Sequence, residues 1–275
     1  MTWLLKKIPK QLFAFWGNSQ LPWLRYLTLK TFRHYNPDWT ITIYKNENPT
    51  PGTGEIVADY WDKLNELNIK DISALNMEKE FGIDLSSQPS LGARDINRSD
   101  YLRWYLLHEL GGLWADMDIL FIRPMESMSW NSERVADVEA IGLPDPYNNF
   151  ILSAPGSKLM AKLWEASRTI TSDELRRDFL NTGPVNYQKV RREQKDKLFN
   201  IDFLQIPLRT TEIADEDGLN YSKNMELSIP EEAVGIHWHG SGYFGKYTEI
   251  TPENYRYHES LIARMVTYAI EQMGK

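Results

Sequence analysis

The sequence predicts an α/β domain with a mixed, mostly parallel central sheet flanked by helices. Two observations predict it. Segments with strand, helix, strand and helix character alternate through the first 70 residues, and an apolar helix near residue 100 runs into short strand-like pieces around a pair of aspartates. Alternation of this kind favours parallel pairing, because a parallel crossover needs a helix-length connection. At 275 residues the chain is near the upper limit of one hydrophobic core, so a single domain over 1–275 is expected.

Taken in order, Lys10 to Trp16 reads as a short buried strand that Gly17-Asn18 breaks. Leu24 to Tyr35 has helical spacing and ends at Asn36-Pro37-Asp38. Trp39 to Tyr44 alternates with β-branched Thr40, Ile41, Thr42 and Ile43 and reads as a second strand. Asn46 to Gly54 is turn-rich, and Glu55 to Leu67 has the pattern of an amphipathic helix. Ser86 to Gly92 is polar and loop-like. Ser99 to Leu110 is the most apolar helix, closed by Gly111-Gly112 where a C-terminal cap belongs. Leu113 to Ala115 and Ile119 to Ile122 are strand-like, and Pro124 stops the run. Beyond them, Ser157 to Ile170 is helical, Thr182-Gly183-Pro184 is a turn, and Glu253 to Met273 is expected as a surface helix.

The chain has no cysteine, which removes disulfides, thiolate zinc sites and a cysteine nucleophile. A bound metal must then sit on oxygen or imidazole, which favours magnesium, manganese or calcium. No transmembrane segment is expected, since no stretch reaches about 18 apolar residues. The start, Met1 to Lys7, lacks the pattern of a signal peptide, so a cytoplasmic address is expected, with peripheral membrane contact left open. A net charge of −7 argues against a broad nucleic-acid footprint, although Lys6, Lys7 and Lys10 make a local basic patch. Ten tryptophans and fourteen tyrosines fit an aromatic core first and ring stacking on a ligand second.

Asp116 and Asp118 are the first candidate for chemistry. In an extended segment their side chains at i and i+2 share a face. Two bare carboxylates about 4 Å apart would repel by about 4 kcal/mol at an effective dielectric of about 20, and a cation between them removes that cost. Asp-x-Asp alone is common. The helix before it adds Asp100 and Arg103, three residues apart and so neighbours on one face of a helix otherwise apolar almost all round. Such a pair either satisfies itself as an internal salt bridge or serves a ligand. In the second case Asp100 accepts from sugar hydroxyls while Arg103 donates to sugar or phosphate oxygens.

The run Arg98-Ser99-Asp100-Tyr101-Leu102-Arg103, then Leu107 and Leu110-Gly111-Gly112-Leu113-Trp114-Ala115-Asp116-Met117-Asp118, resembles the DXD-containing sugar-binding region of glycosyltransferase family 32. It also resembles the related donor core of clostridial glucosylating toxins. Ile8-Pro9-Lys10, Phe15-Trp16-Gly17 and Asn36-Pro37-Asp38-Trp39 are similar to the family's opening strand and first helix end. Asn148-Asn149-Phe150 and Thr182-Gly183-Pro184 resemble turns near its sugar pocket. His237-Trp238-His239-Gly240-Ser241 resembles its closing His-x-x-Gly and Gly-Ser elements, although Gly242 stands where the family usually has Trp.

The resemblance implies a GT-A fold with a nucleotide-binding part at about 1–125 and an acceptor-side and closing part at about 126–275. It implies a hexosyltransferase that moves a sugar from a UDP- or GDP-linked donor to a hydroxyl with retention. Asp116, Asp118 and His237 would hold Mn2+ or Mg2+, with His239 and Ser241 as alternatives to His237. Asp100, Arg103 and Asp118 would be catalytic. Trp16, Asp100, Arg103, Asp116 and Ser241 would bind the donor, Trp16 by stacking on the base or else as a core indole. Glycans, lipid-linked sugars and other hydroxyls are the acceptors in view, and the acidic balance disfavours nucleic acid. His34, His108 and His258 read as structural.

Two other functions use similar residues. A phosphatase of the haloacid dehalogenase type would need a long apolar strand before its first Asp and usually Thr or Val after the second. Here a helix ended by Gly-Gly precedes, and Ile119-Leu120 follows. A non-catalytic sugar-nucleotide or glycan binder would have a degenerate site, yet Asp100, Arg103, Asp116 and Asp118 are all present.

Overall fold

The computed structural model describes residues 8–50, 58–73, 77–128, 140–142, 148–193, 198–200, 227–238 and 246–275. Its strands are β1 (Gln11–Asn18), β2 (Thr40–Thr50), β3 (Lys70–Ser73), β4 (Gly112–Ala115), β5 (Ile119–Phe121), β6 (Ala140–Gly142), β7 (Phe150–Ser153), β8 (Leu198–Asn200) and β9 (Gly235–His237). Its α-helices are α1 (Trp23–Tyr35), α2 (Met77–Phe81), α3 (Leu91–Glu109), α4 (Lys158–Arg168), α5 (Ser172–Arg177), α6 (Pro184–Glu193) and α7 (Leu261–Met273).

The main sheet has the order β3-β2-β1-β4-β7-β6-β8, and β5 pairs with β9 in a separate antiparallel ribbon. β1 runs parallel to both β2 and β4, and β2 runs parallel to β3. Only β7 reverses, antiparallel to β4 and β6. The mixed, mostly parallel sheet expected from the sequence is therefore the sheet observed. Along β1, Leu12 and Ala14 join the core beneath α1 and α7, while Phe13 and Phe15 join a second core beneath α3 and α4. β4 divides in the same way, Leu113 and Ala115 to the first core and Trp114 to the second. Period-two alternation between two apolar layers explains why these strands carry hardly a polar residue.

Successive strands leave β1 in opposite directions, β2 and β3 to one side and β4 to the other. That is a topological switch point, and the crevice at the carboxyl ends of such strands is where open α/β sheets bind ligands.

Local chemistry sets the turn into β4. The Ser90 hydroxyl caps α3 by accepting from the Ala93 N–H at 3.1 Å. At the other end Gly111 takes φ +65°, the left-handed conformation that ends a helix. The Gln11 side-chain amide from β1 donates to the Leu110 and Gly111 carbonyls, both at 2.9 Å. A side chain at Gly112 would collide with the Gln11 carbonyl oxygen at 2.7 Å, so helix, turn and strand close only around two glycines.

Several expectations need correction. The segment 51–57 lies outside the described residues, and Asp62–Leu67 is a 3-10 helix rather than the end of an amphipathic α-helix. α3 starts at Leu91, eight residues before Ser99, because Asp95 and Arg98 pair at 2.9 Å and Arg98 reaches Glu78 at 2.6 Å. α7 starts only at Leu261, capped by Ser260, and is no surface helix: Leu261, Ile262, Ala263, Met265, Val266 and Ala269 are buried. Asp116 to Asp118 is a turn and not an extended segment, because the chain leaves the main sheet there to pair β5 with β9. Among the described residues no helix is long and apolar enough to cross a membrane.

Candidate active site

The register Phe13 with Trp114 sets the carboxyl ends of β1 and β4 side by side, one bearing Trp16 and the other Asp116. The Asp116 N–H donates to the Asn149 carbonyl at 2.9 Å, and the Trp238 N–H donates to the Asp118 carbonyl at 2.9 Å. The turn between the aspartates is thus pinned by strand ends on both sides.

Arg103 reaches up from the buried face of α3. Its Nη2 donates to Asp116 Oδ1 at 2.8 Å, and its Nη1 donates to the Asn148 carbonyl at 2.7 Å. The internal pair with Asp100 is present but longer, at 3.4 Å. The Trp114 indole N–H also donates to Asp116 Oδ1, at 2.7 Å, and the Arg103 guanidinium lies 4.9 Å from the Trp114 ring. Both of these bonds fall on one Asp116 oxygen, and about a third of that side chain is open to solvent (32 %). Removal from water pushes the Asp116 carboxyl above the usual range; Arg103 opposes this, and the like charge of Asp118 adds to it.

Asp100 is buried. Its Oδ2 accepts from the Thr182 hydroxyl at 2.9 Å and its Oδ1 from the Asn148 amide at 3.3 Å. Burial raises its pKa to about 6 despite the opposing charge of Arg103 and these bonds. Gly183 packs so closely that a Cβ there would lie 2.4 Å from the Asp100 carboxylate.

Asp118 faces the other way. Its Oδ1 lies 3.1 Å from His237 Nε2 and its Oδ2 lies 3.4 Å from Arg25 Nη1. The Asn149 amide lies 2.8 Å from His237 Nδ1 and 3.2 Å from its Nε2, so the ring is held between Asn149 and Asp118. β5–β9 pairing aligns Ile119 with His237, which is what brings this distant segment beside the second aspartate.

Trp16 is half-buried. One face covers the Arg25 guanidinium at 4.7 Å, and its N–H is held by the Gln20 carbonyl at 2.8 Å. The structure therefore gathers Trp16, Asp100, Arg103, Asp116, Asp118 and His237 about the β4–β5 turn. Ser241, His239, Gly240 and Gly242 lie outside the described residues. His108 is held by the Ser157 carbonyl and His258 by the Ser260 hydroxyl; His34 packs edge-on against Tyr35.

Sequence reasoning named Asn148, Asn149 and Thr182 only as turns. In the structure they are the partners of Asp100, Arg103 and His237. It missed Arg25 altogether. The signal was Arg25, Thr28 and Thr31, three polar residues spaced by three on the buried side of α1, apart from its other polar residues Lys30, Arg33 and His34. Thr28 donates to the Met117 carbonyl at 3.0 Å, and Thr31 accepts from the Phe121 N–H at 3.0 Å.

Among the described residues no three His, Asp or Glu side chains close into a metal cage. An open set fits a hard divalent ion that keeps water and phosphate oxygens in its shell, the usual arrangement for magnesium on a nucleotide. Asp116, through the oxygen that Arg103 and Trp114 leave aside, Asp118 and His237 are candidates for such an open set by donor type, Asp118 lying in this structure against His237 and Arg25.

Residues 24–136 match the family described as glycosyltransferase sugar-binding region containing DXD motif. This stretch is similar to a glycosyltransferase sugar-binding region. It contains Asp100, Arg103, Asp116 and Asp118, while Trp16 and His237 lie outside it. No curated protein matches the chain. Among solved structures, the apo form of the glycosyltransferase GlyE from Streptococcus pneumoniae TIGR4 is 11% identical over 96% of this chain and 62% of its own, with a TM-score of 0.50. The galactosyltransferase LgtC in complex with donor and acceptor sugar analogues is 12% identical over 95% of both chains, with a TM-score of 0.45. The PaToxG glycosyltransferase is 15% identical over 68% of this chain and 70% of its own, also at 0.45. The fold of the sugar-binding region is GT-A, as the motif resemblance implied.

Proposed function

We propose that this chain is a glycosyltransferase that moves a sugar from a UDP- or GDP-linked donor to an acceptor hydroxyl with the help of Mn2+ or Mg2+. One observation supports the reading: Asp100, Arg103, Asp116, Asp118 and His237, from α3, the β4–β5 turn and β9, lie close together beside the switch point, the place where open α/β sheets generally bind ligands. Asp116, Asp118 and His237 would hold the cation. A cation there supplies Lewis-acid neutralisation of the diphosphate as the glycosidic bond breaks. Arg103 adds fixed positive charge beside the same leaving group. Asp100, ionised above about pH 6, accepts from donor-sugar hydroxyls. Trp16 stacks its outer face on the base, and the motif resemblance implies that Ser241, outside the described residues, also binds the donor.

The single-domain reading goes with this assignment, about 1–125 serving the nucleotide and about 126–275 the acceptor and closure. The motif resemblance supports retention, and glycan or lipid-linked acceptors in polysaccharide synthesis fit the acidic chain better than nucleic acid. The test is a panel of UDP- and GDP-sugars with Mn2+, scored for release of nucleoside diphosphate and for the rise in melting temperature that a bound donor brings by mass action. Turnover of one donor supports the reading. Metal-dependent binding with neither hydrolysis nor transfer would instead favour a non-catalytic sugar-nucleotide binder.

A further inference from the structure

Arg25 lies in the first turn of α1 and is 6% exposed. Its guanidinium stands among three aromatic rings, Trp16 at 4.7 Å, Trp238 at 4.6 Å and Tyr247 at 4.9 Å. These rings come from the end of β1, the end of β9 and the Lys246–Glu249 turn. Arg25 Nη1 is 3.4 Å from Asp118 Oδ2, and Thr28 and Thr31 hold the neighbouring backbone from the same side of the helix. On the opposite side of the turn, Arg103 is bonded to Asp116 at 2.8 Å. Each aspartate of the motif therefore lies beside a buried guanidinium, Arg25 for Asp118 and, for Asp116, Arg103, which Asp100 shares at 3.4 Å.

From this geometry we propose that Arg25 and Arg103 neutralise the Asp116–Asp118 site in advance, so that it takes a divalent cation only together with a diphosphate, and that Arg25 sets this order. The proposal rests on the reading of Asp116 and Asp118 as cation ligands. A cation entering alone meets two fixed positive charges in surroundings where charges are weakly screened, and their repulsion offsets the pull of the carboxylates. A diphosphate brings the extra negative charge that reverses the balance. An arginine does not lose its proton in proteins, so the bias is permanent. Ring faces attract cations, so the aromatic box keeps the guanidinium beside Asp118 when a second cation approaches.

The test uses the full chain and Mn2+ alone, with free Mn2+ followed by electron paramagnetic resonance. Arg25→Met and Arg25→Gln should bind Mn2+ about tenfold more tightly than wild type, while Arg25→Lys, which keeps the charge, should stay within about threefold of wild type. Neutral variants that bind no more tightly, or a lysine variant that binds as tightly as they do, overturn the proposal. If the neutral variants do not fold, the wild type carries the test by melting temperature. Mn2+ alone should then leave the midpoint nearly unchanged, and Mn2+ with UDP or GDP should raise it by more than the nucleotide does. A full rise with Mn2+ alone overturns the proposal. Asp118→Asn, measured in Mn2+ with UDP or GDP, separates the two readings: unchanged Mn2+ uptake in that variant removes the cation site itself, whereas lost uptake there beside Mn2+-alone binding unaltered in Arg25→Met removes only the role of Arg25.

Discussion

Arg103 and Asp116 are bound at 2.8 Å, and the same guanidinium donates to the Asn148 carbonyl at 2.7 Å. One side chain from a buried helix thus fixes the first aspartate of the motif and the loop carrying Asn149, which in turn touches His237. Breaking such a pair from one side leaves the other charge stranded, at a cost of about 3–5 kcal/mol. Arg103→Met should lower stability by that order in urea unfolding and abolish donor turnover. Arg103→Lys keeps the charge but lacks the fork that spans both acceptors, so it should recover stability more than activity. Equal recovery of both would contradict the bridging role.

Gly183 is required by space rather than by backbone conformation, its φ being −107°. A Cβ there would come within 2.4 Å of the Asp100 carboxylate, which Thr182 and Asn148 hold in place. Gly183→Ala should raise the apparent donor KM by about tenfold or more, the equivalent of about 1.4 kcal/mol, with the fold retained by circular dichroism. Normal donor affinity in this variant would place Asp100 outside the donor site.

Asp100 also imposes a pH dependence. Its pKa is about 6 in the folded chain against an ordinary 3.8, so folding favours its protonated form. The stability this contributes is complete below about pH 4 and is lost as pH rises through about 6, amounting to on the order of 3 kcal/mol. Urea midpoints between pH 4 and pH 7 should therefore fall more steeply in wild type than in Asp100→Asn. Parallel pH profiles would show that Asp100 is not the group responsible.

Trp16 stacks on Arg25 with one face, so replacing it tests the other. Trp16→Ala should weaken donor binding by about 1–3 kcal/mol, the usual worth of base stacking. Trp16→Phe, which keeps a ring over Arg25, should lose less. Unchanged calorimetric affinity for the nucleotide in Trp16→Ala would return this indole to a purely structural role.

Much of this was legible in the sequence. The strand–helix alternation was readable because β1 and β4 are buried on both faces and carry almost unbroken apolar runs. Asp100, Arg103, Asp116 and Asp118 were readable because a helix ended by two glycines fixes their spacing, and the structure brings all four together. Arg25 was not readable: a charge in the first turn of a helix normally faces water, and what buries this one is Trp238 and Tyr247, from the far end of the chain. The early start of α3 was hidden because its first turns are polar and rest on the Glu78–Arg98–Asp95 ion pairs. The shape of the motif itself was misread as extended, since nothing local announces that the chain changes sheets at Asp116.

The central claim is that Asp116 and Asp118 carry a divalent cation through glycosyl transfer. The most direct measurement is release of nucleoside diphosphate from the best donor of a UDP- and GDP-sugar panel, in Mn2+, for wild type, Asp116→Asn and Asp118→Asn. Wild type should turn over with Mn2+ and stop in excess chelator, and both variants should be inactive while still folded. Full activity in either variant, or in chelated wild type, would contradict the account.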